Sequence, residues 1–286
     1  MPQLQCGSRV AGVPELLDML PADRETHSRL LGVKLRKTQC EQTSTPSVEH
    51  KFGPRTSHRE GEMSADEFEV QRRRMLAEIS AATALISGLI GKSPLGERVM
   101  AAMAKVPRHE FVPFELQPFA YANMPLPIGF NKTISQPFMV ALMTDLLDIS
   151  AHDAVLEIGT GLGYQAAILA QLAREVYSIE LIEELAQQAK QRLRRQGCSN
   201  IKLRIANGYH GWSEHAPFDK IMVTAAPDLV PPPLIQQLKN GGKMVVPAGL
   251  SDAQQLVLVD KDGDGRVTMR QMLSVRFSPL EGPESD

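Results

Sequence analysis

The segment Val155-Leu-Glu-Ile-Gly-Thr-Gly-Leu-Gly-Tyr-Gln165 decides the fold. It starts inside a short apolar strand, Ala154 to Ile158, turns on three glycines and passes into a helical pattern from about Tyr164 to Leu172. Glycine lets a backbone turn tightly and approach a ligand where a side chain would clash. In an open α/β sheet such a turn lies at the carboxyl end of the first strand, where ligands bind.

The glycine spacing narrows the ligand. A dinucleotide fingerprint needs a glycine at position 164, but Tyr164 stands there and Gly163 comes one residue early. Glu157 would crowd a pyrophosphate with like charge, yet it suits a cofactor that carries an ammonium and a sulfonium, as S-adenosyl-L-methionine does. Gly159, Thr160, Gly161 and Gly163 then form the cofactor turn. Glu180, ending the second strand, is placed to accept hydrogen bonds from ribose hydroxyls. Asn207-Gly208, just after the third strand, is placed to meet an adenine edge. A purely structural glycine turn with two solvated acidic strand ends is the alternative, and the register of both acids with a βαβ frame weighs against it.

Outward from this segment, strands and helices alternate. Glu175–Glu180, Ile201–Ile205, Lys220–Thr224 and Lys243–Pro247 read as strands; Ile182–Gln196, ended by Gly197, and Pro233–Leu238, stopping at Gly241-Gly242, read as helices. Upstream, Ser64 and Glu67 make a capping-box pair before a helix through Ile79 and beyond. Gly96–Lys105 and Phe138–Leu147 are further helices, and between them Pro107–Pro137 reads as a long proline-rich loop. Gln255–Val259 and Val267–Phe277 form an antiparallel pair joined by Asp262-Gly-Asp-Gly265. The expected fold is α/β: a doubly wound, mainly parallel sheet of the S-adenosylmethionine-dependent methyltransferase type, with an antiparallel C-terminal hairpin and an N-terminal helical cap.

Composition bounds the rest. The chain has 286 residues, 43% hydrophobic and 22% charged, with net charge -2, which gives no general reason to expect a nucleic-acid or membrane partner. Its three cysteines, Cys6, Cys40 and Cys198, are scattered without metal-ligand spacing, so neither a disulfide framework nor a metal site is expected, and a cytoplasmic setting fits. Arg72-Arg73-Arg74 and Arg192 with Arg194-Arg195 read as solvated helix faces. Residues 1–62 are polar and rich in breakers, with short elements only at Val13–Leu20 and Leu30–Leu35; a poorly ordered extension is expected, and Met63 is a candidate start. Residues 63–286 are expected to form the methyltransferase domain: helical cap and substrate loop (63–150), cofactor-binding core (151–250) and C-terminal hairpin (251–286).

Several segments together resemble the protein-L-isoaspartate O-methyltransferases: Val106-Pro-Arg-His-Glu-Phe-Val-Pro113, Pro125-Leu-Pro-Ile-Gly129, Thr133-Ile-Ser-Gln-Pro137, Pro217–Ala226 and Leu238–Gly249. The similarity runs from about Met75 to Leu280, and Thr133–Pro137 in its proline-rich setting is its most specific part. The resemblance implies a cytoplasmic, often monomeric enzyme that methylates the α-carboxyl of L-isoaspartyl residues in aged proteins and peptides, so starting repair through a succinimide. It implies Ser135 as the active-site residue and Thr133, Ile134 and Thr224 on the substrate side. Three places depart from the family pattern. Ala206-Asn207-Gly208 replaces Gly-Asp-Gly, Leu162 replaces a small polar residue, and Phe130-Asn131-Lys132 replaces His-Gly-Gln.

Other signals carry less. Asp260–Gln271 resembles a calcium loop, but Gln271 stands where a bidentate glutamate is needed and the flanks are strand-like, so a hairpin turn is expected. His109 reads as a loop-packing histidine, because an ionised carboxylate needs no general base. His210 and His215 bracket Trp212 without metal spacing, leaving pocket lining or surface exposure. Two rival functions stand beside isoaspartyl repair: a methyltransferase of the same fold acting on another acceptor, and a non-catalytic binding protein using the extension. An Asn207 amide can accept from an adenine amino group only without charge. Asn207→Asp should therefore tighten cofactor binding in calorimetry, and an unchanged or weaker affinity would count against this role.

Overall fold

The computed structural model describes residues 63–91 and 93–281. The expected extension at 1–62, with its short elements, lies outside the described residues. Helix α1 (Ala65–Ile90) begins as the sequence suggests. The Glu67 N–H donates to Ser64 Oγ at 3.3 Å and the Ser64 N–H to Glu67 Oε2 at 2.7 Å, closing the capping box. Helix α2 (Glu97–Lys105) follows, and α3 (Pro137–Leu147) has every residue buried. The three helices pack on one another as the N-terminal cap.

The segment read as a long loop holds more order than expected. It contains 3-10 turns at Arg108–Phe111 and Phe114–Phe119, then a small hairpin of β1 (Leu126–Gly129) and β2 (Lys132–Ile134). The hairpin turns on Phe130 and Asn131, both with left-handed φ (54° and 55°). Asn-Gly is the usual signal for such a turn, and a phenylalanine at its first position hides it.

The main sheet has seven strands: β3 (Ala154–Ile158), β4 (Glu175–Glu180), β5 (Ile201–Ile205), β6 (Phe218–Val223), β7 (Leu238–Ala248), β8 (Gln255–Lys261) and β9 (Val267–Ser274). Their order is β5-β4-β3-β6-β7-β8-β9. The first five run parallel, and β8 and β9 add antiparallel strands at the edge. Strand order reverses at β3, so the crevice beyond its carboxyl end is the natural ligand position. Helices α4 (Tyr164–Ala170) and α5 (Glu183–Arg195) pack against β4, α3 packs against β6 and β7, and α6 (Pro232–Gln237) packs against β7. With both faces covered, β3 is buried along its whole length. Leu156 and Ile158 join Phe218, Ile221, Leu234 and Met244 in one core, which puts Val155 and Glu157 on the opposite face.

Two readings change. β7 begins at Leu238 rather than Lys243 and takes Gly241-Gly242 into an irregular stretch opposite Phe218–Lys220. A side chain at Gly242 would lie 2.7 Å from the Lys239 carbonyl and 2.9 Å from that of Asp219, so only glycine fits this kink. The arginine clusters are also less solvated than expected. Arg72 donates to Tyr121 Oη and to the Ala104 carbonyl, and Arg192 to the Glu110 carbonyl, whereas Arg73 and Arg74 do lie on the exposed face. The calcium-like stretch is the expected β8–β9 hairpin: Asp262 Oδ1 accepts from the N–H groups of Asp264 and Arg266, each at 2.9 Å.

Candidate active site

The turn after β3 is built from glycines with three different tasks. Gly159, Gly161 and Gly163 all have positive φ (94°, 56° and 96°). At Gly159 a side chain would meet Thr224 Oγ1 at 2.5 Å, and at Gly163 it would press on Leu193 of α5 at 3.1 Å. At Gly161 a side chain would meet Ile128 of the β1–β2 hairpin at 3.2 Å. The hairpin that leads to Ser135 therefore lies against the central glycine of the turn.

Neighbouring strands hold the turn in place. The Ile179 carbonyl accepts from the N–H groups of Gly159 (2.8 Å) and Thr160 (3.2 Å). Glu180 Oε2 accepts from the Gly161 N–H at 2.7 Å, and its Oε1 accepts from Ile182 at 3.0 Å. The Thr224 hydroxyl, expected on the substrate side, is shared between the carbonyls of Ile158 (2.9 Å) and Gly159 (2.7 Å) and so fastens the glycine turn. Thr160 is buried with its hydroxyl 2.6 Å from Ser178 Oγ, and Ser178 in turn donates to Glu157 Oε2. Glu157 itself is sealed from solvent, and among the described residues its Oε1 has no hydrogen-bond partner. Burial is the main cause that pushes its carboxyl up to about 8; the nearby Glu180 charge pushes the same way, against the Ser178 hydrogen bond.

At the third strand end, Asn207 Oδ1 accepts from the Tyr209 N–H at 2.9 Å and caps a short turn. An aspartate caps such a turn equally well. A side chain at Gly208 would come within 2.3 Å of Ile158, so close packing on β3 requires this glycine. Of the residues expected on the substrate side, Thr133 is exposed, Ile134 buried and Ser135 half-buried. Among the described residues the Ser135 hydroxyl has no hydrogen-bond partner, and the Ser135 carbonyl accepts from Arg108 Nη2 at 2.7 Å.

A model of the family described as protein-L-isoaspartate(D-aspartate) O-methyltransferase matches residues 80–285. The chain belongs to this family. It is 63% identical to protein-L-isoaspartate O-methyltransferase 1 of Polaromonas sp. (strain JS666) over 78% of this chain and 95% of that protein. A solved protein-L-isoaspartate O-methyltransferase superposes with a TM-score of 0.63 at 28% identity, over 74% of this chain and 66% of that one. A Plasmodium falciparum structure holding S-adenosyl-L-homocysteine shares the fold, with a TM-score of 0.61 at 22% identity over 73% of this chain and 98% of its own.

Within this methyltransferase frame, the histidines set aside in the sequence keep to packing and the surface. His109 packs as expected: its ring stacks on Phe68 at 3.8 Å and its Nδ1 lies 2.8 Å from Tyr121 Oη. His210 and His215 are exposed, and His215 sits against the buried Tyr177 and the half-buried Trp212. Reasoning from sequence missed Ser178 and Arg108. A lone serine inside the apolar strand Glu175–Glu180 was the available signal for the first; nothing in sequence marks the second as buried.

The Glu157 shift has a consequence for stability. Its carboxyl keeps the proton more strongly folded than unfolded, so its stabilising contribution is full below about pH 4.5 and is lost as pH rises towards 8. Glu157→Gln removes this dependence. The ligand-free variant should gain melting temperature over the parent by more at pH 8 than at pH 5, and equal differences at both pH values would contradict the assignment.

Proposed function

We propose that this protein transfers a methyl group from S-adenosyl-L-methionine to the α-carboxyl of L-isoaspartyl residues in damaged proteins, and that Ser135 orients the acceptor. The observation that carries the reading is the closeness of Ile128 to Gly161, where an added side chain would meet it at 3.2 Å; it supports an acceptor held by the hairpin beside a cofactor on the glycine turn.

The residues present fit the cofactor. Gly159, Gly161 and Gly163 leave the backbone bare, and Glu157 offers a buried oxygen without a partner beside a turn suited to a cationic methionine moiety. Glu180 keeps lone pairs for ribose hydroxyls after serving Gly161 and Ile182. The half-exposed apolar side chains Leu181 and Ile205, with Asn207, flank the place for adenine at the ends of β4 and β5. When bound, S-adenosyl-L-methionine supplies a methyl group on a positively charged sulfur, already activated for displacement.

The acceptor needs positioning rather than activation. A carboxylate with a pKa near 4 is ionised at neutral pH, so no base has to remove a proton. The free Ser135 hydroxyl donates to one carboxylate oxygen and leaves the other in line for transfer. Thr133 and Ile134 border the bound chain, and the hairpin excludes water. Orientation of this kind is worth roughly 7–11 kcal/mol in favourable cases. Once esterified, the carboxyl is attacked by the following backbone nitrogen; methanol leaves and a succinimide forms, and water then opens it in part to normal aspartate. The reading includes a cytoplasmic setting, which the scattered cysteines support, and a monomeric enzyme, as the family resemblance implies.

Labelled cofactor with paired peptides, one aspartyl and one isoaspartyl, tests the reading. Base-labile label should appear on the isoaspartyl peptide alone; label on both or on neither favours another acceptor or a binding role. Ser135→Ala should lower turnover about 10- to 100-fold, the size of one hydrogen bond to a charged group, and leave S-adenosyl-L-homocysteine affinity within about threefold. Full turnover in that variant would remove Ser135 from the mechanism.

A further inference from the structure

Arg108 is the largest wholly buried side chain among the described residues. Its guanidinium faces no carboxylate among them, an arrangement that is costly for a cation. Three groups hold it. Nε donates to the Ala120 carbonyl at 2.8 Å, Nη2 donates to the Ser135 carbonyl at 2.7 Å, and Cζ lies over the Tyr164 ring at 4.8 Å from its centroid. Burial lowers its pKa to about 10, which still leaves it charged at neutral pH.

These contacts join the two halves of the site. Tyr164 is the first residue of α4, immediately after Gly163, so its ring is fixed to the cofactor turn. Ser135 ends the substrate hairpin. Its neighbours are clamped to the same stretch as Ala120: Gln136 Nε2 donates to the Asn123 carbonyl at 2.9 Å, and the Phe138 N–H to Asn123 Oδ1 at 3.0 Å. Buried charges can often be replaced by apolar groups without loss of stability. A planar fork able to reach two carbonyls while its charge lies over a ring is a requirement of geometry, which lysine or methionine does not meet.

We propose that Arg108 is a positioning residue for methyl transfer: its guanidinium fixes the Ser135 backbone relative to Tyr164, and so holds the Ser135 hydroxyl at the correct place beside the methyl donor. The inference rests on the reading of Ser135 given above. It does not touch substrate, and it acts only through Ser135.

A double-mutant cycle separates this from a general structural role. Arg108→Met, Ser135→Ala and the double variant are compared by kcat and KM on an isoaspartyl peptide, with active protein counted by S-adenosyl-L-homocysteine binding. In the parent background Arg108→Met should lower kcat by on the order of 10-fold or more, as displacement of about an ångström can cost up to about 100-fold. In the Ser135→Ala background the same change should lower kcat less than about threefold. Cofactor affinity should stay within about threefold throughout, and Arg108→Lys should recover only part of the activity. Equal losses in both backgrounds, or full activity of Arg108→Met, would overturn the proposal while leaving Ser135 in place. Full activity of Ser135→Ala alone would instead remove the Ser135 reading and this inference with it. If Arg108→Met does not fold, the Arg108→Lys cycle is read by the same criteria.

Discussion

Glycine loses more conformational freedom on folding than any other residue, so a turn built on Gly159, Gly161 and Gly163 holds one shape only if its surroundings impose it. Here the surroundings are two parallel strands. Ile179 takes two amide protons of the turn, Glu180 takes the Gly161 N–H, and Thr224 reaches across from the end of β6 to the Gly159 carbonyl. The rest of the site depends on this fastening. The hairpin rests on Gly161, α4 starts from Gly163, and Tyr164 at its first turn supports the arginine beneath Ser135.

Charge placement follows the same logic. Two carboxylates lie near the turn, and their surroundings separate their roles. Glu180 receives backbone N–H groups on both oxygens, whereas Glu157 is buried with one hydroxyl donor and an oxygen that has no partner among the described residues. A buried acid of this kind favours its neutral form until a cation arrives.

Much of the fold was legible because its signals are local. The apolar run Ala154–Ile158, the glycine spacing and the helical periods follow from backbone sterics and two-sided burial, and each element stands within a few residues of where periodicity puts it. The β1–β2 hairpin was not legible, since four- and three-residue strands around Phe130-Asn131 carry neither clear alternation nor the usual turn residues. Gly241-Gly242 read as a helix stop, because nothing local reveals that the strand absorbs a kink there. In the site, the glycines and both acids could be singled out by spacing. Arg108 could not, because whether an arginine is solvated or buried depends on partners twelve and 27 residues away in the chain.

The central claim is that the methyl group goes to the α-carboxyl of an isoaspartyl residue and so opens the way to a succinimide. Incubating an isoaspartyl peptide with the protein and S-adenosyl-L-methionine in water labelled with oxygen-18, then separating the products by mass, tests it directly. The account predicts a growing normal aspartyl peptide that carries one labelled oxygen from succinimide hydrolysis, dependent on the cofactor. An isoaspartyl peptide that remains unlabelled and unconverted in the presence of cofactor-loaded protein would contradict it.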